Sequence, residues 1–560
     1  MSSAYAPGVA IKRMRSSMPF VLILLAFGLR FIAPAGHQLL SSPPILQSVV
    51  AESTDSAAPR AGFEAGQPRV HLNHPASFER GSQLVVGVLP PSKLNVTRGA
   101  LNQKQVGTLR YQVTAMMGRL ETNPGGRSCV STPGDGTARI EWQPSLGATG
   151  YRVYRSVAGS KPSMLGYTKD TSYPDSGAPG GDHRPPERNL ALFVARVAAI
   201  DGLLLTLDRG APFAADSAAV LTDDSAALQA QVDEAMQSHK PVILEPRTYN
   251  LFSTVTFAPQ VPGAQAILGL TLTGAGAGNT LLMWYGPSNQ SILVFQGAKF
   301  GEISGFMVDG GAALADLDFA GHGSSSGMRV RNLLLVNPAT FSVRAGNPAD
   351  LTEVSEMSFD SVYSAGATAA GFQIEGQNNL NFNFNNSGCS GEPICVSNDP
   401  SVEPSPGATT GGNFNRYGGS VSETPLGPGP GRRASFVLAG GVPYNFVGVR
   451  VENSATLIAT PATSAPIQIN WIGGLFVNEM PANDGSQIIN YQAGGGFQSS
   501  KSSWGAVGSF YFGPLTKAAV FTDDLMSVAA GRNDANPTFA AYFSAIPPTV
   551  QLRLYNSGGF

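Results

Sequence analysis

Charge is the scarcest commodity in this chain of 560 residues. Asp, Glu, Lys and Arg supply only 13% of it, about half the share of an average soluble protein. With a net charge of -2 and a pI of about 6.3, there is no basic footprint for nucleic acid. Cysteine is almost missing, and its three positions match no zinc or redox spacing. Cys389 and Cys395 flank "SGEPI" and are placed either to close a small disulfide loop in an oxidising compartment or to remain two buried thiols. Cys129 has no evident partner. Long apolar runs are missing too. The best one, "PFVLILLAFGL" at 19–29, is cut by Arg30 and is short for a membrane span. Beyond residue 251, helix signals all but vanish.

What is present starts with an address. Lys12, Arg13 and Arg15 precede the apolar run, and "APA" at 33–35 offers small residues for cleavage. Residues 1–35 therefore read as a secretory signal peptide, the alternative being an uncleaved tether through residues 20–32. Either way the protein is expected to be exported, secreted or held at the cell surface. Residues 36–61 lack periodicity and read as a spacer.

From 62 to 180, "TLRYQVTAM", "ARIEWQPS" and "GYRVYRS" alternate apolar and polar residues between Gly/Pro turns, the pattern of a β-sandwich. The run from Ala138 to Gly177 resembles fibronectin type III modules, with "TLRYQVTA" ahead of its ordinary place. A connector with a hairpin-like pair, "LALFVARVAAIDGLLLTLDRG", fills 181–214.

One amphipathic helix follows. Thr222, Asp223 and Asp224 offer cap oxygens, Leu228, Val232, Ala235 and Met236 share a face, and Pro241 ends it before "VILEP". From 265 on, "GFMVDGG", "NLLLVNP", "DSVYSAG" and "FNFNNSG" repeat an apolar-then-turn unit. Asp309, Asn337, Ser364 and Asn386 stand 28, 27 and 22 residues apart. A period in the twenties with one strand-and-turn motif per unit predicts a β-solenoid, with these residues stacked in a turn ladder. The helix would then be the lid over the open first coil.

"DDSAALQAQVDEA", a strand with Pro, a Thr-Tyr pair, "LTLTGAGAGNTLLMW" and "EISGFMVDGG" together resemble the entrance of the pectate-lyase superfamily, nearest its rhamnogalacturonase/epimerase-like branch. The match covers 215–390 well, with Arg247 where that turn usually holds Gly. The resemblance implies an all-β fold: a right-handed parallel β-helix over 215–560 with a capping α-helix, preceded by the β-sandwich. It also implies polysaccharide as the partner, cleaved or epimerised, with a non-catalytic surface or matrix protein as the alternative.

Hydrolysis needs an acid and a second carboxylate, which stacking places about 5 Å apart on adjacent coils or about 10 Å apart on alternate ones. A lyase instead needs a base and a cation such as calcium. The candidates are Asp316 and Asp318 in "ALADLDFAGHG", read as a projecting loop, with Asp360 and Glu375 on later rungs. His322 in "GHG" joins them by likeness to polygalacturonases, although their other motifs do not appear in order. Arg329, Arg331, Trp284 and Tyr285 are candidate substrate contacts, with Tyr417, Trp471, Tyr491 and Trp504 as further sugar platforms. Asp309 is assigned to the ladder. The Gly/Pro-rich insertion 398–433 is a cleft wall or a flap.

Overall fold

The computed structural model describes residues 60–73, 76–98, 108–124, 129–133, 137–157, 161–260, 266–319, 324–346, 354–374, 381–398, 414–422, 434–438, 443–452, 457–460, 467–478, 489–491, 495–500, 502–507, 519–522, 525–529 and 551–552. These residues are almost wholly β, with one helix among them.

The first strands close into an antiparallel barrel: Arg60–Phe63, Ala215–Thr222, Gln83–Gly87, Leu192–Asp201, Leu204–Leu207, Arg69–Leu72 and back to the first. The hairpin read as a connector is thus two walls of this barrel. Its alternation explains why: Phe193, Ala195, Val197, Leu205 and Leu207 all point into the barrel core with Val70, Leu84 and Val220. The stretch read as one sandwich divides accordingly, its strands up to Gly87 belonging to the barrel.

Between Gly87 and that hairpin is inserted a two-sheet sandwich. One sheet runs Ser163–Thr168, Gly150–Val157, Thr108–Met117, with Leu120–Glu121 and Cys129–Pro133 also paired to the last; the other runs Ser172–Asp175, Ala138–Gln143, Ser92–Arg98. Tyr111, Val113, Ile140, Trp142, Tyr151 and Val153 fill the space between them. Trp142 and Tyr151 meet edge to face at 5.3 Å.

Helix α1 (Ser225–Ser238) buries Leu228, Val232, Ala235 and Met236, which join the core of the first coil with Val242, Leu244, Tyr249 and Leu251. The helix is the lid expected of it. Its acids behave differently from a simple cap. Asp223 Oδ1 accepts the Ser225 N–H at 3.0 Å. The Asp224 carboxylate ignores the helix and ties down the first coil, accepting from Arg247 Nη1 at 2.9 Å and from the Asn250 amide at 2.8 Å. Arg247, the departure from the usual Gly, also lies over the Tyr249 ring at 3.7 Å. Its cation joins lid to coil. The helix ends at His239, in the left-handed conformation (φ 54°), ahead of Pro241.

The remainder is a parallel β-solenoid. Among the described residues its coils stack into a 20-stranded, a nine-stranded and a four-stranded sheet, every pairing between coils being parallel. Interior rings stack from coil to coil, Phe257 on Phe295 at 4.7 Å and Phe295 on Phe319 at 4.8 Å, then Phe359 on Phe384 at 5.0 Å. The long strands bend at one residue per coil. Gly305, Asn332, Ser361, Asn386, Gly418, Gly448 and Gly473 all take positive φ there, a conformation that Gly and Asn reach most cheaply.

The expected ladder is different in place. Asn337 Nδ2 does reach Asp309 Oδ1 at 3.3 Å, but Ser364 pairs with Leu335 and Asn386 belongs to the bend column. The asparagine ladder lies instead on the outer face of the large sheet. There Asn383, Asn415, Asn445 and Asn470 pass one hydrogen bond per coil at 3.1, 2.8 and 2.8 Å, across 32, 30 and 25 residues of chain.

Candidate functional site

Asp316 is not on a projecting loop. It sits in strand Ala315–Asp318 of the nine-stranded sheet, every residue of which is buried. Leu317 points into the solenoid core, so by the two-residue alternation Asp316 and Asp318 face the other way. The loop reading failed because "ALADLDF" is a strand whose outward acids are covered. A Cβ on Gly310 would come within 2.0 Å of Asp316 Oδ1, so the carboxyl lies flat against a backbone that only glycine supplies.

Around Asp316 gather two more acids. Asp309 ends the preceding strand and is buried. Glu392 lies between Cys389 and Cys395, which form a disulfide, and is buried as well. Its Oε1 accepts the Ser364 hydroxyl, which also lies 2.6 Å from Ser342 Oγ. Both oxygens of Asp316 and Oε2 of Glu392 have no hydrogen-bond partner, a rare condition for buried polar atoms. Burial pushes the Asp316 carboxyl well above its ordinary range, and the charges of Asp309 and Glu392 add to the rise. Burial likewise lifts Glu392 to about 8, against the pull of Ser364 and the Ala367 amide. Glu392 is therefore mostly neutral at pH 7, and burial shifts Asp316 toward its neutral form. Sequence reasoning missed Glu392. The only available signal was its place inside a short Cys-to-Cys loop.

The remaining candidates scatter. Asp318 Oδ2 accepts the Ser291 hydroxyl at 2.6 Å and lies 3.9 Å from Arg344. Asp360 stands on the large sheet, 3.4 Å from Arg329, and accepts from Ser358 at 3.0 Å and from Asn385. Arg331 pairs with Glu302 at 2.6 Å. These two cations are thus already engaged by acids of their own sheet. Trp284 is no sugar platform: it is buried in the core and donates to the Pro287 carbonyl at 3.2 Å, its apolar bulk filling the first coils. Tyr285 stacks on Phe252 at 5.2 Å. Trp471 is also core, stacked on Phe446 at 4.8 Å, while Tyr417 is 47% exposed. His322, Glu375, most of 398–433, and the side chains of Tyr491 and Trp504 lie outside the described residues. So does the 20–32 segment; among the described residues no helix is long and apolar enough to cross a membrane.

Among the described residues no group of three His, Cys, Asp or Glu side chains converges as a metal-ligand set, and burial favours the neutral form of two of the three clustered acids. Calcium does not fit this cluster.

No family model matches the chain, and no curated protein sequence matches it. Solved structures with a similar chain course include the catalytic unit of a GH87 α-1,3-glucanase from Streptomyces thermodiastaticus, at 10% identity and a TM-score of 0.34 over 85% of this chain and 94% of that one. Another is the A-module of a mannuronan C-5 epimerase from Azotobacter vinelandii, at 11% identity and 0.35 over 56% and 93%. A third is the tailspike protein gp49 of Pseudomonas phage LKA1, at 10% and 0.22 over 85% and 65%. At such scores none of these likenesses bears on activity.

Proposed function

We propose that the chain is an exported, polysaccharide-active protein in which Asp316 holds the proton of a general acid. The observation that carries this reading is the Asp316 carboxyl itself: fully buried, unpaired at both oxygens and set among other acids. Strongly raised carboxyl groups of this kind concentrate at catalytic sites. Hydrolysis of a glycosidic bond asks for such an acid to protonate the leaving oxygen. A companion carboxylate then serves as nucleophile or activates water. Asp309, which accepts the Asn337 amide, is the companion within reach of its charge. A protonated acid favours hydrolysis over lyase or epimerase chemistry, both of which begin by removing a proton from carbon.

The test is turnover of the secreted form on neutral glucans and on uronans, with and without calcium. Asp316→Asn is expected to lower turnover at least about a hundredfold while the fold survives. Full activity in this variant would clear Asp316 of the role. Sequencing the mature N-terminus would separate a cleaved signal from a tether, and an intact residue 1–35 segment on cytosolic protein would overturn export.

A second reading, a catalytically silent binding protein, is favoured by one observation: Asp316 has no exposed surface at all. Absence of turnover across the whole panel would select it.

A further inference from the structure

The asparagine ladder has a neighbour. Two residues along each strand, and so on the same outer face, the register aligns Asn385, Tyr417, Val447 and Ile472. Tyr417 is 47% and Ile472 44% exposed, large apolar groups left in water two coils apart with the half-buried Val447 between them. The face thus carries two parallel strips, one of carboxamides and one that is apolar over the three coils from Tyr417 to Ile472, each repeating at the coil spacing of about 4.8 Å.

Asn415 and Asn445 each spend one N–H and one oxygen lone pair on their neighbours; at the ends, Asn383 donates instead to the Asn381 carbonyl and Asn470 accepts from Gln468. A carboxamide has two of each, so every rung retains a donor and an acceptor, and the ladder asparagines are half-buried, with surface still open. No charged side chain stands in either strip from Asn383 to Ile472. In these two columns the charges stand on earlier coils, where Arg331 pairs with Glu302 and Arg329 with Asp360; beyond the bend of the Asn445 coil, Arg450 and Glu452 pair with each other.

We propose that this face binds a neutral polysaccharide chain lying along the solenoid axis. Its hydroxyls would meet the repeating amides, and the apolar faces of its rings would lie on Tyr417 and Ile472. The absence of charge from these two columns selects an uncharged, hydroxyl-rich polymer over a uronan, and the rung spacing is near the length of one sugar unit. The strip is on a different sheet from Asp316 and does not depend on that residue's chemistry.

The experiment measures binding of the full secreted chain to soluble β-glucan and dextran, with polygalacturonate as the anionic probe, across a salt series. Binding to a neutral glycan that salt leaves unchanged is expected. Tyr417→Ala and Ile472→Ser, both at exposed positions, should each weaken it about tenfold or more with melting unaltered, whereas Asp316→Asn should bind as the wild type does. No binding to either neutral probe overturns the proposal. Binding confined to polygalacturonate and abolished by salt overturns it as well. So does unchanged affinity in both strip variants, or affinity lost only in Asp316→Asn, which would move the ligand to the buried acids.

Discussion

Glu392 shows how much one enclosed carboxyl can set. Its pKa stands at about 8 in the fold against an ordinary 4.5. Below pH 4.5 the group is protonated in both folded and unfolded chains. As pH rises from there to about 8 the unfolded chain ionises first, so stability is greatest in acid and falls across this window. Glu392→Gln should flatten that decline and melt higher than the wild type at pH 8, by an amount of order a few kcal/mol. Parallel melting curves at pH 4 and pH 8 would show it, and an unchanged slope would mean that the carboxyl is not enclosed in solution. Phe300 offers a second residue-scale test. It takes φ 54° with 69% of its surface exposed, in the corner column where coils on either side use Gly269 and Gly327 at φ 70° and 65°. A bulky side chain in that region costs roughly 1–2 kcal/mol. Phe300→Gly should recover about 1 kcal/mol on denaturant unfolding. A loss instead would show that the ring, resting over Gly327, contributes more packing than its backbone strain costs.

Among the elements, helix α1 is the one whose removal should change behaviour as well as stability. Its stripe covers Val242, Leu244 and Leu251 of the first coil, which would otherwise present an open edge to other chains. Leu228→Ala should cost about 2–5 kcal/mol by the cavity it leaves, and light scattering near the melting point should show association beginning earlier than in the wild type. Lid loosening without association would mean that the barrel strand Ala215–Thr222, directly preceding the helix, protects the edge by itself. The bend column argues similarly at this scale. Asn332 and Asn386 are chosen for their backbone, and the ladder asparagines for their side chains.

In the whole molecule, the sandwich rests on the solenoid through few but specific contacts. Arg110 Nη1 donates to the Ala339 carbonyl at 3.1 Å, Asn123 Nδ2 to that of Gly286 at 3.0 Å, and the Ser288 amide to that of Glu187 at 2.8 Å. All three solenoid partners lie between strands, and Ala339 is the one beside the acid cluster. Pro338, next to Ala339, approaches the same Gly310 that covers Asp316. The sandwich therefore buttresses the site's cover rather than hanging from the barrel as a spacer.

The local pattern of this chain determined its solenoid and its lid. Coil repeats, the helical stripe Leu228–Val232–Ala235–Met236 and the strand alternation of 190–210 are periodicities that a single segment contains, and burial follows them. Composition likewise made stacked strands the economical choice for a chain so poor in charge. Partnership across coils was decided only by the tertiary structure. Nothing near Arg416 in the sequence marks it as an interior residue, yet it pairs in register with Phe384 and Phe446 and is fully buried. Coil lengths that vary by several residues hide the register, so Asn383, Asn415, Asn445 and Asn470 could not be aligned by spacing alone. The barrel, too, joins strands more than a hundred residues apart around an inserted sandwich, which no local pattern records. Asp316 was legible as an acid worth naming. Its enclosure, its unpaired oxygens and its company with Glu392 depend on which coils stack, because a pKa is set by what surrounds a group in space.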